Sequence, residues 1–143
     1  MRNRMSGFTL LEMIVVLVII GLIMGLVGPA LFGQADKAKV QTAETQVKML
    51  KGALETMRLD LSRYPTTEEG LALLNSAPSD GAAAGRWRGP YLDEAVPNDP
   101  WDRPYVYRGE RSATQGFTLY SLGADGQHGG EGLDADVGYV PAR

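Results

Sequence analysis

Gly7-Phe8-Thr9-Leu10-Leu11-Glu12-Met13-Ile14-Val15-Val16-Leu17 is the stretch that decides how this chain is built. In front of its phenylalanine lies a short basic segment, Met1 to Gly7, with Arg2 and Arg4; behind it runs an uncharged segment from Met13 to Ala35. About 20 apolar residues cross a bilayer as a helix at ~1.5 Å rise each, so this run predicts a membrane span. Arg2 and Arg4 before it, with Asp36 and Lys37 after it, predict a cytoplasmic N-terminus and an exported remainder. Glu12 is the exception in this apolar setting. An ionised carboxylate at mid-depth costs about 2.5 kcal/mol or more, which makes it a functional-site candidate.

An ordinary secretory signal has an apolar region of about 7 to 15 residues followed by a small-x-small cleavage site, and the run here is too long for that. A plain signal anchor accounts for the length but leaves Gly7, Phe8 and Glu12 without a role. Composition narrows the rest. The chain has 143 residues, enough for the span and about one small domain, and no cysteine, which excludes disulfides and thiolate metal sites. Without Arg2 and Arg4 the net charge of −3 becomes −5, so nothing points to nucleic acid as a partner.

Beyond the apolar run, Val40, Ala43, Val47, Leu50, Leu54, Met57 and Leu61 recur at steps of three and four, the apolar face of an amphipathic helix. The reading is one long helix from about Phe8 to about Ser62. Gly28-Pro29 is expected to kink or loosen it, because proline lacks a backbone donor and clashes with the preceding turn. Tyr64-Pro65 ends it. Thr66 and Glu69 form a capping-box pattern that predicts a second short helix through about Leu74. Residues 76–85 read as a small polar loop. The prolines, glycines and aromatics from Trp87 to Tyr105 predict fixed turns whose rings, Trp87 and Trp101 included, cover the amphipathic helix. Tyr105-Val106-Tyr107 and Phe117 to Ser121 read as two strands around a polar turn at about 110–115. The fold class is therefore α+β, a long N-terminal helix against a small antiparallel sheet, divided into residues 1–7, 8–35 and 36–143.

Ser121 to Asp136 gathers Asp125, Glu131, Asp134 and Asp136 among glycines. Calcium takes six to eight oxygens at about 2.3 to 2.6 Å, and glycine lets a backbone turn its carbonyls inward. The spacing is not that of an EF-hand. On composition alone, a calcium loop and an acidic solvent loop with glycine turns stand level. His128, the one histidine, is a poor ligand for a hard ion and is expected at the surface.

Gly7-Phe8-Thr9-Leu10-Leu11-Glu12 after a basic leader resembles the processing site of type IV pilins and pseudopilins. The blocks Arg63-Tyr64-Pro65-Thr66-Thr67-Glu68-Glu69-Gly70-Leu71, Trp87-Arg88-Gly89-Pro90-Tyr91-Leu92 and Asp99-Pro100-Trp101 resemble the major pseudopilin family of type II secretion, the G subunits. The clearest variable stretch runs from Asn75 to Gly85. Major type IV pilins commonly carry a C-terminal cysteine pair, which this chain lacks.

That resemblance implies a prepilin peptidase cutting between Gly7 and Phe8 and methylating Phe8, with residues 1–7 removed as the leader. It implies that Glu12 meets the N-terminal amine of an adjacent subunit during assembly. It also implies calcium in the C-terminal loop, with Asp125, Asp134 and Asp136 as side-chain ligands, the Leu122 carbonyl completing the shell, and Glu131 a weaker candidate. The implied function is a major structural subunit, stored as a single-pass protein of the bacterial inner membrane with its C-terminal domain periplasmic. It polymerises with itself and with minor pseudopilins, on an inner-membrane assembly platform, into a periplasmic filament that drives folded proteins through the outer membrane. A type IV pilus or competence pilin differs only in the machine served. A membrane-tethered periplasmic hydrolase using Asp125, Asp134 and His128 is remote, since the chain has no Gly-x-Ser-x-Gly motif and no histidine pair.

Overall fold

The computed structural model describes residues 7–109 and 116–140, the side chains of 29–32 excepted. The polar turn expected at 110–115 and the leader before Gly7 lie outside them. The chain divides into two compact units, 1–36 and 37–143.

Helix α1, Leu10–Leu61, is a single α-helix that continues through Gly28 and Pro29. Thr9 caps its start: Thr9 Oγ1 accepts from the Glu12 amide at 3.2 Å, satisfying one of the amides that a helix N-terminus leaves without partners. In the first unit the apolar side chains face outward on every side, from Leu10 (79% exposed) to Leu26 (83%). A helix apolar all round belongs in lipid or among other helices, and α1 is long and apolar enough to cross a membrane.

In the second unit, α1 supplies one wall of the core. Ala43, Val47, Leu50, Leu54, Met57 and Leu61 are buried as the periodicity predicts, while Val40, at the upstream end of the stripe, stays half-exposed. Burying a side chain of this size contributes about 1.5 to 3 kcal/mol, so these positions dominate the stability of the domain. The helix ends where Ser62 turns to φ 59°, its amide donating to the Arg58 carbonyl at 2.7 Å.

The capping box at Thr66 forms, but the expected second helix does not continue from it. Thr66 N donates to Glu69 Oε2 at 2.8 Å and Glu69 N to Thr66 Oγ1 at 3.3 Å. Gly70 then adopts φ 58°, which breaks an α-helix after its first turn, and Gly70–Leu74 is a 3₁₀ helix. It still does the packing work expected there, burying Leu71, Leu73 and Leu74. Within the stretch expected as loop, Gly81–Ala84 forms one helical turn, α2, whose start is held by Asp80 Oδ1 accepting from the Ala82 amide.

Strands β1 (Val106–Gly109), β2 (Phe117–Ser121) and β3 (Val137–Tyr139) form an antiparallel sheet in that order. The register pairs Val106 with Tyr120, Gly109 with Phe117, Leu119 with Tyr139 and Ser121 with Val137. The third strand escaped the sequence reading because three residues are too few to show alternation. Every residue of β2 is buried, and Leu119 and Phe117 join the helix in one core with Tyr105.

The aromatics do cover that core in part. Trp87 packs against it, donates from Nε1 to the Leu73 carbonyl at 2.9 Å and meets Tyr91 edge-to-face. Tyr105 donates to Gln46 and Tyr91 to Asp60 on α1. Burial pushes the Tyr105 hydroxyl, and the Tyr107 hydroxyl on β1, above their ordinary pKa of 10.0. Trp101 departs from expectation. It lies half-exposed outside the core, at a turn where its amide donates to Asp99 Oδ1.

Candidate functional site

Two sites come from the sequence, one at each end of the chain. At the first, Gly7 and Phe8 precede α1 as exposed residues outside regular secondary structure, and Phe8 is 80% exposed. Glu12 sits in the first turn of α1, where the positive end of the helix dipole favours a carboxylate. Its amide is taken by Thr9, so its place in the helix is fixed by a cap that the motif Thr9-x-x-Glu12 announces and the sequence reading passed over. The Glu12 side chain is exposed. Glu12 is four residues from Phe8, but α1 begins only at Leu10, so the amine that cleavage at Gly7 would free lies ahead of the helix and not on the helical face that carries Glu12.

The second site is the loop from Leu122 to Asp136. Its framework is backbone: Ala124 N donates to Leu133 O at 3.1 Å, Asp134 N to Glu131 O at 3.2 Å, and Asp136 N to Gly129 O at 3.1 Å. Gly123 (φ 64°) and Gly130 (φ 81°) let the chain close on itself. A Cβ at Gly123 would lie 2.6 Å from the Ala135 carbonyl, and one at Gly130 would strike the Asp134 carbonyl. Only glycine combines that backbone geometry with that approach.

Within this frame the predicted ligands differ in setting. Asp136 accepts from Gly129 N through Oδ2 at 3.0 Å, while its Oδ1 is buried without a partner. The Asp136 charge also adds to the burial that raises the Tyr120 hydroxyl pKa. Asp125 is exposed and closes a turn by accepting from Gln127 N at 2.9 Å. Asp134 and Glu131 are exposed and Leu122 half-buried. Among the described residues no three His, Asp or Glu side chains converge as a metal-holding group. A buried carboxylate oxygen with nothing to bond is the feature that a hard cation satisfies, so the residues fit calcium provided that backbone carbonyls supply much of the shell.

His128 is exposed, as expected, and its Nδ1 pairs with the Tyr120 hydroxyl at 3.1 Å. That pairing orients the ring toward a phenol, not toward a carboxylate that would prepare it as a catalytic base.

Beneath the loop lies a network that the sequence reading did not assign. Asp99, 4% exposed, accepts through Oδ1 from the amides of Trp101 (3.1 Å) and Arg103 (2.8 Å), and through Oδ2 from Ser121 Oγ (2.5 Å). Ser121 Oγ in turn accepts from Gly123 N at 3.3 Å. The block Asp99-Pro100-Trp101 held the signal, an aspartate opening a proline turn, but nothing in the sequence revealed that it would be buried against Ser121.

A capped apolar helix with an exposed glutamate near its start, joined to a small sheet domain, defines a pilin-like subunit. Comparisons make this specific. The family model described as type II secretion system (T2SS), protein G, matches residues 30–140, and the prokaryotic N-terminal methylation motif matches residues 2–28. The chain is 41% identical to the type II secretion system core protein G of Pseudomonas aeruginosa, over 96% of each chain. It is 42% identical to that of Vibrio cholerae, over 95% of this chain and 92% of the other. The crystal structure of the major pseudopilin from the type 2 secretion system of enterohaemorrhagic Escherichia coli matches with a TM-score of 0.60 at 32% identity, covering 75% of this chain and 90% of that one. The chain therefore belongs to the type II secretion system protein G family.

Proposed function

We propose that this chain is the major structural subunit of a type II secretion pseudopilus, polymerising through the apolar part of α1 into a periplasmic filament that drives export of folded proteins. The observation that carries this is the apolar surface from Phe8 to Val27, exposed on all sides within its own chain. In water that surface would be prohibitive, while lipid and a bundle of like helices both accept it. Assembly is a head-to-tail stacking that does not close, as in other helical filaments.

Prepilin peptidase cuts between Gly7 and Phe8 and methylates Phe8, and the Lys/Arg bias keeps the leader cytoplasmic and the domain periplasmic. Minor pseudopilins and an inner-membrane platform are the further partners. Glu12 then pairs with the freed amine of a neighbouring subunit. Desolvation offsets much of the attraction in such a pair, so its main effect is on register. In cells, Glu12→Leu is expected to leave membrane insertion and leader cleavage intact and to abolish filaments and exoprotein release. Normal filament yield from this variant would refute the assignment. A type IV pilus role would instead show as lost surface piliation with secretion unaffected.

The acidic loop holds calcium through Asp125, Asp134, Asp136 and the Leu122 carbonyl, with Glu131 at its edge. The bound ion would supply a cross-link to a domain without disulfides, stabilising it by mass action. Chelation is expected to lower the melting temperature of the wild type, and Asp125→Ala to lower it in the presence of calcium; an unchanged melting temperature on chelation would defeat the proposal.

A further inference from the structure

Arg103 bridges the turn at Asp99 and the start of the acidic loop. Its backbone is fixed on one side: Arg103 N donates to Asp99 Oδ1 at 2.8 Å, and Arg103 O accepts from Asp99 N at 2.7 Å. Its guanidinium reaches the other side, where Nη2 donates to the carbonyls of Gly123 and of Ala124, the latter at 3.2 Å. Nη1 occupies the space that a side chain at position 126 would need, which is left free by Gly126. Nε is buried without a partner, although the residue as a whole is only half-buried, so the inner part of this side chain is held against the loop.

Two consequences follow for the carbonyls next to Asp125. Those of Gly123 and Ala124 are aimed at the guanidinium, whereas Arg103 does not take the carbonyl of Leu122. A guanidinium and a hard cation use the same class of acceptor, so the arginine decides which oxygens remain for an ion. The same grip sets the turn that presents Asp125, together with the bond from Gly123 N to Ser121 Oγ.

We propose that Arg103 is a positioning residue for the cation loop, fixing the turn at 123–126 before any ion arrives and leaving the Leu122 carbonyl as the free backbone ligand. This rests on the calcium reading above, and the two are separable by experiment. The full-length chain in non-ionic detergent is compared with Arg103→Met, which keeps the bulk and loses the donors, and with Arg103→Lys, which keeps the charge but not the fork. Hydrogen exchange of the loop amides is measured in chelator, and calcium binding by titration calorimetry.

In chelator both variants are expected to exchange the Ala124 and Gln127 amides faster than the wild type, with α1 unaffected. Both are expected to bind calcium about tenfold more weakly, the low end of what loss of a ligand-orienting partner costs. Unchanged loop exchange in Arg103→Met overturns the proposal. Tighter calcium binding by Arg103→Met overturns it as well, since that is the result if the guanidinium only repels the ion. If no protein binds calcium, the calcium reading fails and the ligand-positioning role falls with it; faster exchange would then record only the loop grip.

Discussion

Asp99→Ala removes an acceptor that serves three donors at once, and its cost can be worked from their settings. Ser121 is fully buried, so its hydroxyl, left without Asp99, loses about 2 kcal/mol, within the ~1–3 kcal/mol range for an unsatisfied buried group. The amides of Trp101 and Arg103 are half-buried and reach water more readily, at about 0.5 kcal/mol each. The expected loss is about 3 kcal/mol, which for a domain of this size lowers the melting temperature by roughly 15 °C. Asp99→Asn keeps an acceptor for both amides and disturbs only the contact with Ser121, for about 1 kcal/mol. Unfolding of the full chain in non-ionic detergent, followed by fluorescence of Trp87 and Trp101, measures both variants. Ser121→Ala completes a double-mutant cycle, and the double variant should lose about 1 kcal/mol less than the two single losses together, because each single change leaves the other partner stranded. Additivity, or an Asp99→Ala loss below about 1 kcal/mol, would refute the reasoning that this aspartate is a buried hub.

Ser62 takes a left-handed conformation just past the end of α1, where glycine is the residue without strain. Ser62→Gly is expected to stabilise the domain by about 0.5 to 1 kcal/mol, visible as a rise in melting temperature of a few degrees. The paired Arg63 guanidinium holds the Glu69 carboxyl below its ordinary 4.5. A depressed carboxylate contributes stability above its unfolded pKa and loses it as pH falls through the folded one, so the wild type should weaken progressively below pH 4.5. Glu69→Gln should flatten that acid limb, measured by melting temperature against pH. The difference should stay under about 1 kcal/mol, because the Arg63 side chain is 37% exposed and screened by water. An acid limb as steep in Glu69→Gln as in the wild type would assign the loss to other carboxylates.

Periodicity made the helix legible, because a stripe such as Val47, Leu50, Leu54 and Met57 can satisfy only one helical face. The two strands at Val106 and Phe117 were legible from their flanking turns and aromatic content. β3 was not, since its three residues owe their conformation to the ladder with β2 and not to any pattern of their own. The second helix misled for a related reason: a capping box specifies how a helix starts, and a left-handed Gly70 decided how far it went. At the candidate sites, residue types were readable and their settings were not. Asp125 and Asp136 look alike in sequence, yet one closes an exposed turn and the other carries a buried, unpartnered oxygen. The Asp99–Ser121–Arg103 network joins residues about twenty positions apart, a distance over which a sequence carries no local signal.

The outward-facing apolar side chains from Phe8 to Val27 also determine what kind of equilibrium filament growth must be. Leaving one leucine-sized side chain in water costs about 1.5 to 3 kcal/mol, so a subunit with this many has no aqueous monomer to draw on. Growth and shrinkage are partition steps between two oily phases, and the hydrophobic contribution nearly cancels across them. The position of such an equilibrium falls to small polar differences, and the pairing proposed for Glu12 is one that would count. An assembly held this way is protected against dissolving in water, while little free energy separates it from the same helices embedded in lipid.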